Sequence, residues 1–123
     1  MKKKVLVVED NPDMRSVLAL AMERWGFEVV EARNGREAMR RVGATDFDLM
    51  VVNMVMPVMD GFEFVRRIRL RKKTEKTPIL AVTGLDTPEH HDRCLQAGCN
   101  DYLPKPFSFD DLKAKIQTLL AGK

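Results

Sequence analysis

Four places in this 123-residue chain set chemically capable side chains directly after a short apolar run: Glu9-Asp10 after Val5 to Val8, Asn53 after Leu49 to Val52, Thr83-Gly84 after Ile79 to Val82, and Lys105-Pro106 after Tyr102-Leu103. Short apolar runs bounded by polar residues read as strands covered on both faces. Open parallel α/β sheets bind ligands beyond the carboxyl ends of their strands, near the point where strand order reverses, so side chains delivered there can converge. Two carboxylates, the amide oxygen of Asn53 and the carbonyl of Val55 would form a hard oxygen cluster suited to Mg²⁺, which needs only one or two protein carboxylates. Each residue also has a plainer reading. Glu9 and Asp10 could favour the positive end of the next helix, Asn53 could simply end its strand in a turn, and Lys105 could be a surface lysine.

The intervening segments must hold those strand ends in place. Met14, Val17, Leu18, Ala21, Met22 and Trp25 keep the i, i+3, i+4, i+7, i+8, i+11 spacing of a helix packed on a sheet. Trp25 and the methionines are therefore expected in the core. Gly26 should end that helix, and Phe27 to Ala32 reads as a second strand, edge-like because of Glu28 and Glu31. Asn34-Gly35 precedes a short helix, Arg36 to Val42, with Ala38, Met39 and Val42 inward. After Pro57 and Asp60-Gly61, a third helix carries Phe62, Val65 and Ile68 on one face and its arginines largely on the others. Thr87 is placed to cap a fourth helix, Pro88 to Ala97, that stops at Gly98. Asp101 to Pro104 reads as a last strand, confined to an edge by its proline, and Ser108 caps a final helix containing Leu112, Ile116, Leu119 and Leu120. Five alternating strand-helix units imply a doubly wound parallel sheet with helices on both faces.

Together these segments resemble the receiver domain of bacterial two-component response regulators, in the family's order and spacing and over nearly the whole chain. The resemblance implies a flavodoxin-like α/β receiver fold over residues 1–123, with the strand order 2-1-3-4-5 of the chemotaxis receiver. It implies that Glu9, Asp10, position 53 and the Val55 carbonyl hold Mg²⁺, and that Thr83 and Lys105 neutralise phosphoryl oxygens during transfer. It also makes Tyr102 the aromatic whose inward or outward packing reports activation, and the Lys105–Pro106 bond cis. One position departs. Where the family carries the aspartate that accepts a phosphoryl group from a histidine kinase, this chain carries Asn53, whose amide nitrogen is no nucleophile towards phosphorus. No stable phosphoaspartate can form there, and Mg²⁺ binding should weaken with the loss of one negative charge. Because every other site position matches, a deliberate or recent replacement of aspartate is the favoured origin. A natural pseudo-receiver, acting as a phosphorylation-independent interaction module, is the alternative.

The partners so implied are a sensor histidine kinase or phosphotransfer protein and a downstream protein target, met through the first and fourth helices and the fifth strand by a monomer or weak dimer. Composition fits one soluble domain: 45% hydrophobic, 32% charged, and no apolar stretch near the ~20 residues that would cross a membrane. Lys2-Lys3-Lys4 leads into only four apolar residues, too few for the ~7–15 of a signal-peptide core, so a cytoplasmic protein is expected. Cys94 and Cys99 lack the partners of a zinc site and read as reduced thiols. The net charge of +3 is concentrated in Arg66, Arg67, Arg69, Arg71, Lys72, Lys73 and the N-terminal lysines. That run reads as a solvated helix face, since no recognition helix or stacking aromatics accompany it, and direct nucleic-acid binding is not expected. An independent metabolic enzyme is disfavoured because no G-x-x-x-x-G-K-[ST], G-x-S-x-G or G-x-G-x-x-G occurs, and the chain is read as a non-enzyme as written.

Overall fold

The computed structural model describes residues 2–122. Five strands, β1 (Lys4–Val8), β2 (Glu28–Ala32), β3 (Leu49–Asn53), β4 (Ile79–Thr83) and β5 (Asp101–Pro104), pair in parallel in the order β2-β1-β3-β4-β5. They alternate with α1 (Pro12–Arg24), α2 (Gly35–Ala44), α3 (Gly61–Arg69), α4 (Pro88–Ala97) and α5 (Phe109–Ala121). β3 and β4 are buried at every position, as continuous apolar runs flanked by helix layers must be, whereas β2 and β5 at the edges are only partly covered. The expected fold is the observed one.

Side chains of successive strand residues point to opposite faces, which splits the core in two. Leu6, Val8, Met50, Val52, Ile79 and Ala81 join residues of α2, α3 and α4 such as Ala38, Phe64, Ile68 and Cys94. Val5, Val7, Leu49, Val51, Leu80 and Val82 join Leu18 and Met22 of α1 and Leu112 and Ile116 of α5. Among the described residues, no helix is long and apolar enough to cross a membrane.

Two sequence expectations need correction. In α1 only Leu18, Ala19 and Met22 are buried; Val17 is 45% exposed, and Trp25 is a half-buried C-cap with its ring edge towards Phe109. The helical stripe was wider than the strip of sheet that α1 covers. Nor is the basic run all solvated: Arg69 donates to the carbonyls of Gly98 and Thr74 and to Asn100 Oδ1, while Lys73 donates to the Val42 carbonyl. These two cations tie α3 and the turn after it to α2 and to the α4–β5 corner.

A Cβ at Gly61 would stand 2.7 Å from Met54 Cα and 2.8 Å from the Asn53 carbonyl, both backbone, whereas a Cβ at Gly43 would meet nothing within 4 Å. Gly61→Ala should therefore lower unfolding stability by about 1–3 kcal/mol. Gly43→Ala, inside α2, should raise it by roughly 0.5–1 kcal/mol. Urea midpoints read both, and equal effects would contradict the packing. Both cysteines are free and buried, and burial first, then Cys94, pushes the Cys99 thiol up to about 12. Neither should react with a disulfide reagent in the native protein between pH 7 and 9, and both should react once urea unfolds it.

Candidate functional site

β1 and β3 are hydrogen-bonded neighbours with Val8 opposite Val52, so Glu9 and Asn53 leave the sheet side by side. Glu9 is 1% exposed, and a carboxylate so buried is strongly destabilising unless it is paired and hydrogen-bonded. It is both. Its Oε2 accepts from Asn53 Nδ2 at 3.0 Å and from the Asn11 amide at 3.1 Å, and its Oε1 receives Lys105 Nζ at 3.0 Å. Asp10 Oδ1 accepts from the same Asn53 nitrogen at 2.9 Å. The amide is thus turned with its nitrogen on both carboxylates, since the reverse orientation would set its oxygen against two anions. Asn11 caps α1, accepting from the Met14 amide, so the acidic pair is not the cap of that helix.

Lys105 follows directly from the pairing of Thr83 with Pro104 at the edge of the sheet. Its amide donates to the Thr83 carbonyl at 2.6 Å, and its bond to Pro106 is cis, as the resemblance implied. Glu9, Asp10, Asn53 and Lys105 therefore form one connected cluster. Val55 lies just beyond it in the loop after β3, 58% exposed. Two carboxylates and one amide supply the side-chain oxygens, for among the described residues no cluster of three His, Cys, Asp or Glu is present. That donor set suits a hard cation that keeps most of its water, provided the Asn53 amide turns its oxygen inward.

Among the described residues, the side chains of Thr83 and Tyr102 make no hydrogen bond to the cluster of Glu9, Asp10, Asn53 and Lys105. Pleat parity groups Thr83 with Ile79 and Ala81, on the face covered by α2, α3 and α4, and its fully buried hydroxyl meets His90 Nε2 at 2.5 Å while accepting from the Leu85 amide at 3.2 Å. Among the described residues it makes no hydrogen bond to Asn53 or to the Lys105 ammonium. Tyr102 is half-buried under His91, with the rings stacked at 3.6 Å and 22°. Asp86 Oδ1 stands 2.9 Å from His91 Nε2, off the direction of a ring hydrogen bond.

The sequence reading singled out neither histidine. His90 could have been found, because His90, Cys94 and Ala97 follow the i, i+4, i+7 spacing of the inner face of α4. Phe62 packs edge-on against the His90 ring at 5.5 Å, and Arg93 lies over the Phe62 ring at 4.0 Å. Burial, then the charges of Arg93 and His91, hold His90 below the usual histidine range, so its neutral form is favoured.

Residues 5–117 match the family of response regulator receiver domains. The chain belongs to that family. It is 37% identical over 116 residues to the transcriptional regulatory protein TcrA of Mycobacterium tuberculosis, covering 94% of this chain and 45% of that one. It is also 37% identical over 117 residues to the transcriptional regulatory protein CusR of Escherichia coli, covering 95% and 51%. The chain thus spans about half the length of the curated relatives it matches. Among solved structures, the chemotaxis response regulator CheY4 of Vibrio cholerae superposes with a TM-score of 0.93 at 34% identity, covering 97% of this chain and 99% of that one. The receiver domain of the sensor histidine kinase PA1611 of Pseudomonas aeruginosa, solved with magnesium in its active-site cleft, superposes with a TM-score of 0.91 at 31% identity, covering 98% and 99%.

The Lys105 ammonium compensates a carboxylate that has almost no water. Lys105→Met should lower unfolding stability by roughly 2–3 kcal/mol, somewhat below the ~3–5 kcal/mol for breaking a fully buried pair, because the side chain of Lys105 is partly exposed. Adding Glu9→Gln should recover part of the loss. Additive effects of the two substitutions in denaturant titrations would mean the contact is energetically idle.

Proposed function

We propose that the chain is a two-component signalling module whose phosphoryl switch is disabled by asparagine at the acceptor place. The observation that carries this reading is the Asn53 amide, which sits where β3 meets Glu9, Asp10 and Lys105 and spends its nitrogen on both carboxylates. An aspartate in that place would be a nucleophile beside an ammonium and between two metal-binding carboxylates. When bound, Mg²⁺ would supply positive charge to phosphoryl oxygens at the site. Glu9 and Asp10 would hold it, with the Asn53 amide oxygen and the Val55 carbonyl, and binding is weakened because it must displace the hydrogen bonds of the Asn53 nitrogen. Lys105 would orient and neutralise the incoming group.

As written, the chain is a non-enzymatic binding module. Its partners are a sensor histidine kinase or phosphotransfer protein and a downstream protein, met through α1, α4 and β5 in the cytoplasm. The near-complete match of the remaining site favours a replaced aspartate over a natural pseudo-receiver.

Incubated with acetyl phosphate and Mg²⁺, the chain as written should gain no phosphoryl mass by intact mass spectrometry, and Asn53→Asp should gain one. Phosphorylation of the unaltered chain would place the acceptor elsewhere. An inert Asn53→Asp variant would instead favour the purely binding role.

A further inference from the structure

The Thr83 hydroxyl is buried and must place its one proton. Its oxygen already accepts from the Leu85 amide, so the acceptor available to that proton is His90 Nε2, 2.5 Å away. Buried hydroxyls nearly always satisfy their donor, and a neutral imidazole with its proton on Nδ1 offers Nε2 as the acceptor. The His90 ring is itself held, 7% exposed and packed edge-on against Phe62. Thr83 consequently gives its proton to α4 and has none to offer a group at position 53.

We propose that His90 is a positioning residue that locks the Thr83 hydroxyl in a resting orientation, so that a phosphoryl group at position 53 can engage Thr83 only when the Thr83–His90 hydrogen bond opens. This deepens the receiver reading given above and rests on it. The lock sits in the first turn of α4, next to His91, whose ring lies on Tyr102. Opening it therefore disturbs the turn that also carries the Tyr102 contact, which links the acceptor site to an exposed edge of the fold.

The test has an arm on the chain as written and an arm on the Asn53→Asp variant. In the unaltered protein, the ¹⁵N resonance of His90 Nε2 should fall in the range of an unprotonated, hydrogen-bond-accepting nitrogen at pH 7.5, and Thr83→Val should move it. A proton found on Nε2 would overturn the lock whether or not position 53 can ever be phosphorylated. In the Asn53→Asp background, His90→Leu should speed phosphorylation by acetyl phosphate by about two- to tenfold, the factor a single net hydrogen bond represents. His90→Gln, which returns an acceptor near the place of Nε2, should restore the slower rate, and with Thr83→Val present His90→Leu should change nothing. Urea midpoints identify variants that fail merely by unfolding, and the resonance arm still decides if they do. Equal rates for Leu and Gln at position 90, or a rate that falls with His90→Leu, would overturn the proposal. If Asn53→Asp itself takes up no phosphoryl group, the disabled-switch reading gives way to the purely binding role, and the resonance arm alone decides the state of Thr83.

Discussion

Burial of the Glu9 carboxylate is the constraint on which the site depends. At 1% exposure it has lost almost all hydration, and no apolar side chain around it could compensate. Three donors from separate parts of the chain do so: the Asn53 amide at the end of β3, the Asn11 amide in the turn before α1, and the Lys105 ammonium after β5. Each belongs to a different element, so the carboxylate fixes their relative positions. The bond from Arg15 to the Glu9 carbonyl adds α1 to the same junction.

Parallel pairing makes that junction geometrically possible. Neighbouring strands run the same way, so their carboxyl ends rise together, and the register continues from Val8 opposite Val52, through Asn53 opposite Val82, to Thr83 opposite Pro104. Slipping one strand by a residue would exchange its two faces, and both faces here are packed core. The same rule separates the site residues. Asn53 shares parity with Leu49 and Val51 on the α1–α5 side, whereas Thr83 shares parity with Ile79 and Ala81 on the α4 side. Two residues that finish adjacent strands therefore answer to different helices.

The three central strands were legible because four-residue apolar runs between turn signals leave few other readings. Strand order was not; it came with the family resemblance. The cluster of Glu9, Asp10, Asn53 and Lys105 was legible for the same reason as the strands, Glu9, Asn53 and Lys105 each being the first polar residue after an apolar stretch and Asp10 following Glu9. Helix α1 was misjudged in extent because periodicity reports an apolar stripe without reporting how much of it the neighbouring layer covers. Val17, Leu20 and Phe109 remain exposed beside Trp25. His90 escaped notice because the reading treated apolar side chains as the signal for an inward face, and an imidazole satisfied by a buried threonine breaks that rule. Arg69 escaped for a related reason: nothing in a run of cations says which one has carbonyls waiting.

Replacing a carboxylate by an amide at position 53 changes more than nucleophilicity. With aspartate there, three carboxylates would face a single ammonium across a poorly hydrated site, and like charges a few ångströms apart repel strongly where the effective dielectric constant is low. A cation would then be needed to hold the group together. Asparagine relieves that need in two ways, by removing one charge and by offering a nitrogen that bridges Glu9 and Asp10 at 3.0 and 2.9 Å. The amide nitrogen thus takes a place between the acidic side chains that favours their convergence without a metal. An amide at position 53, nearly equal in volume to a carboxylate, therefore lowers the electrostatic demand for a cation.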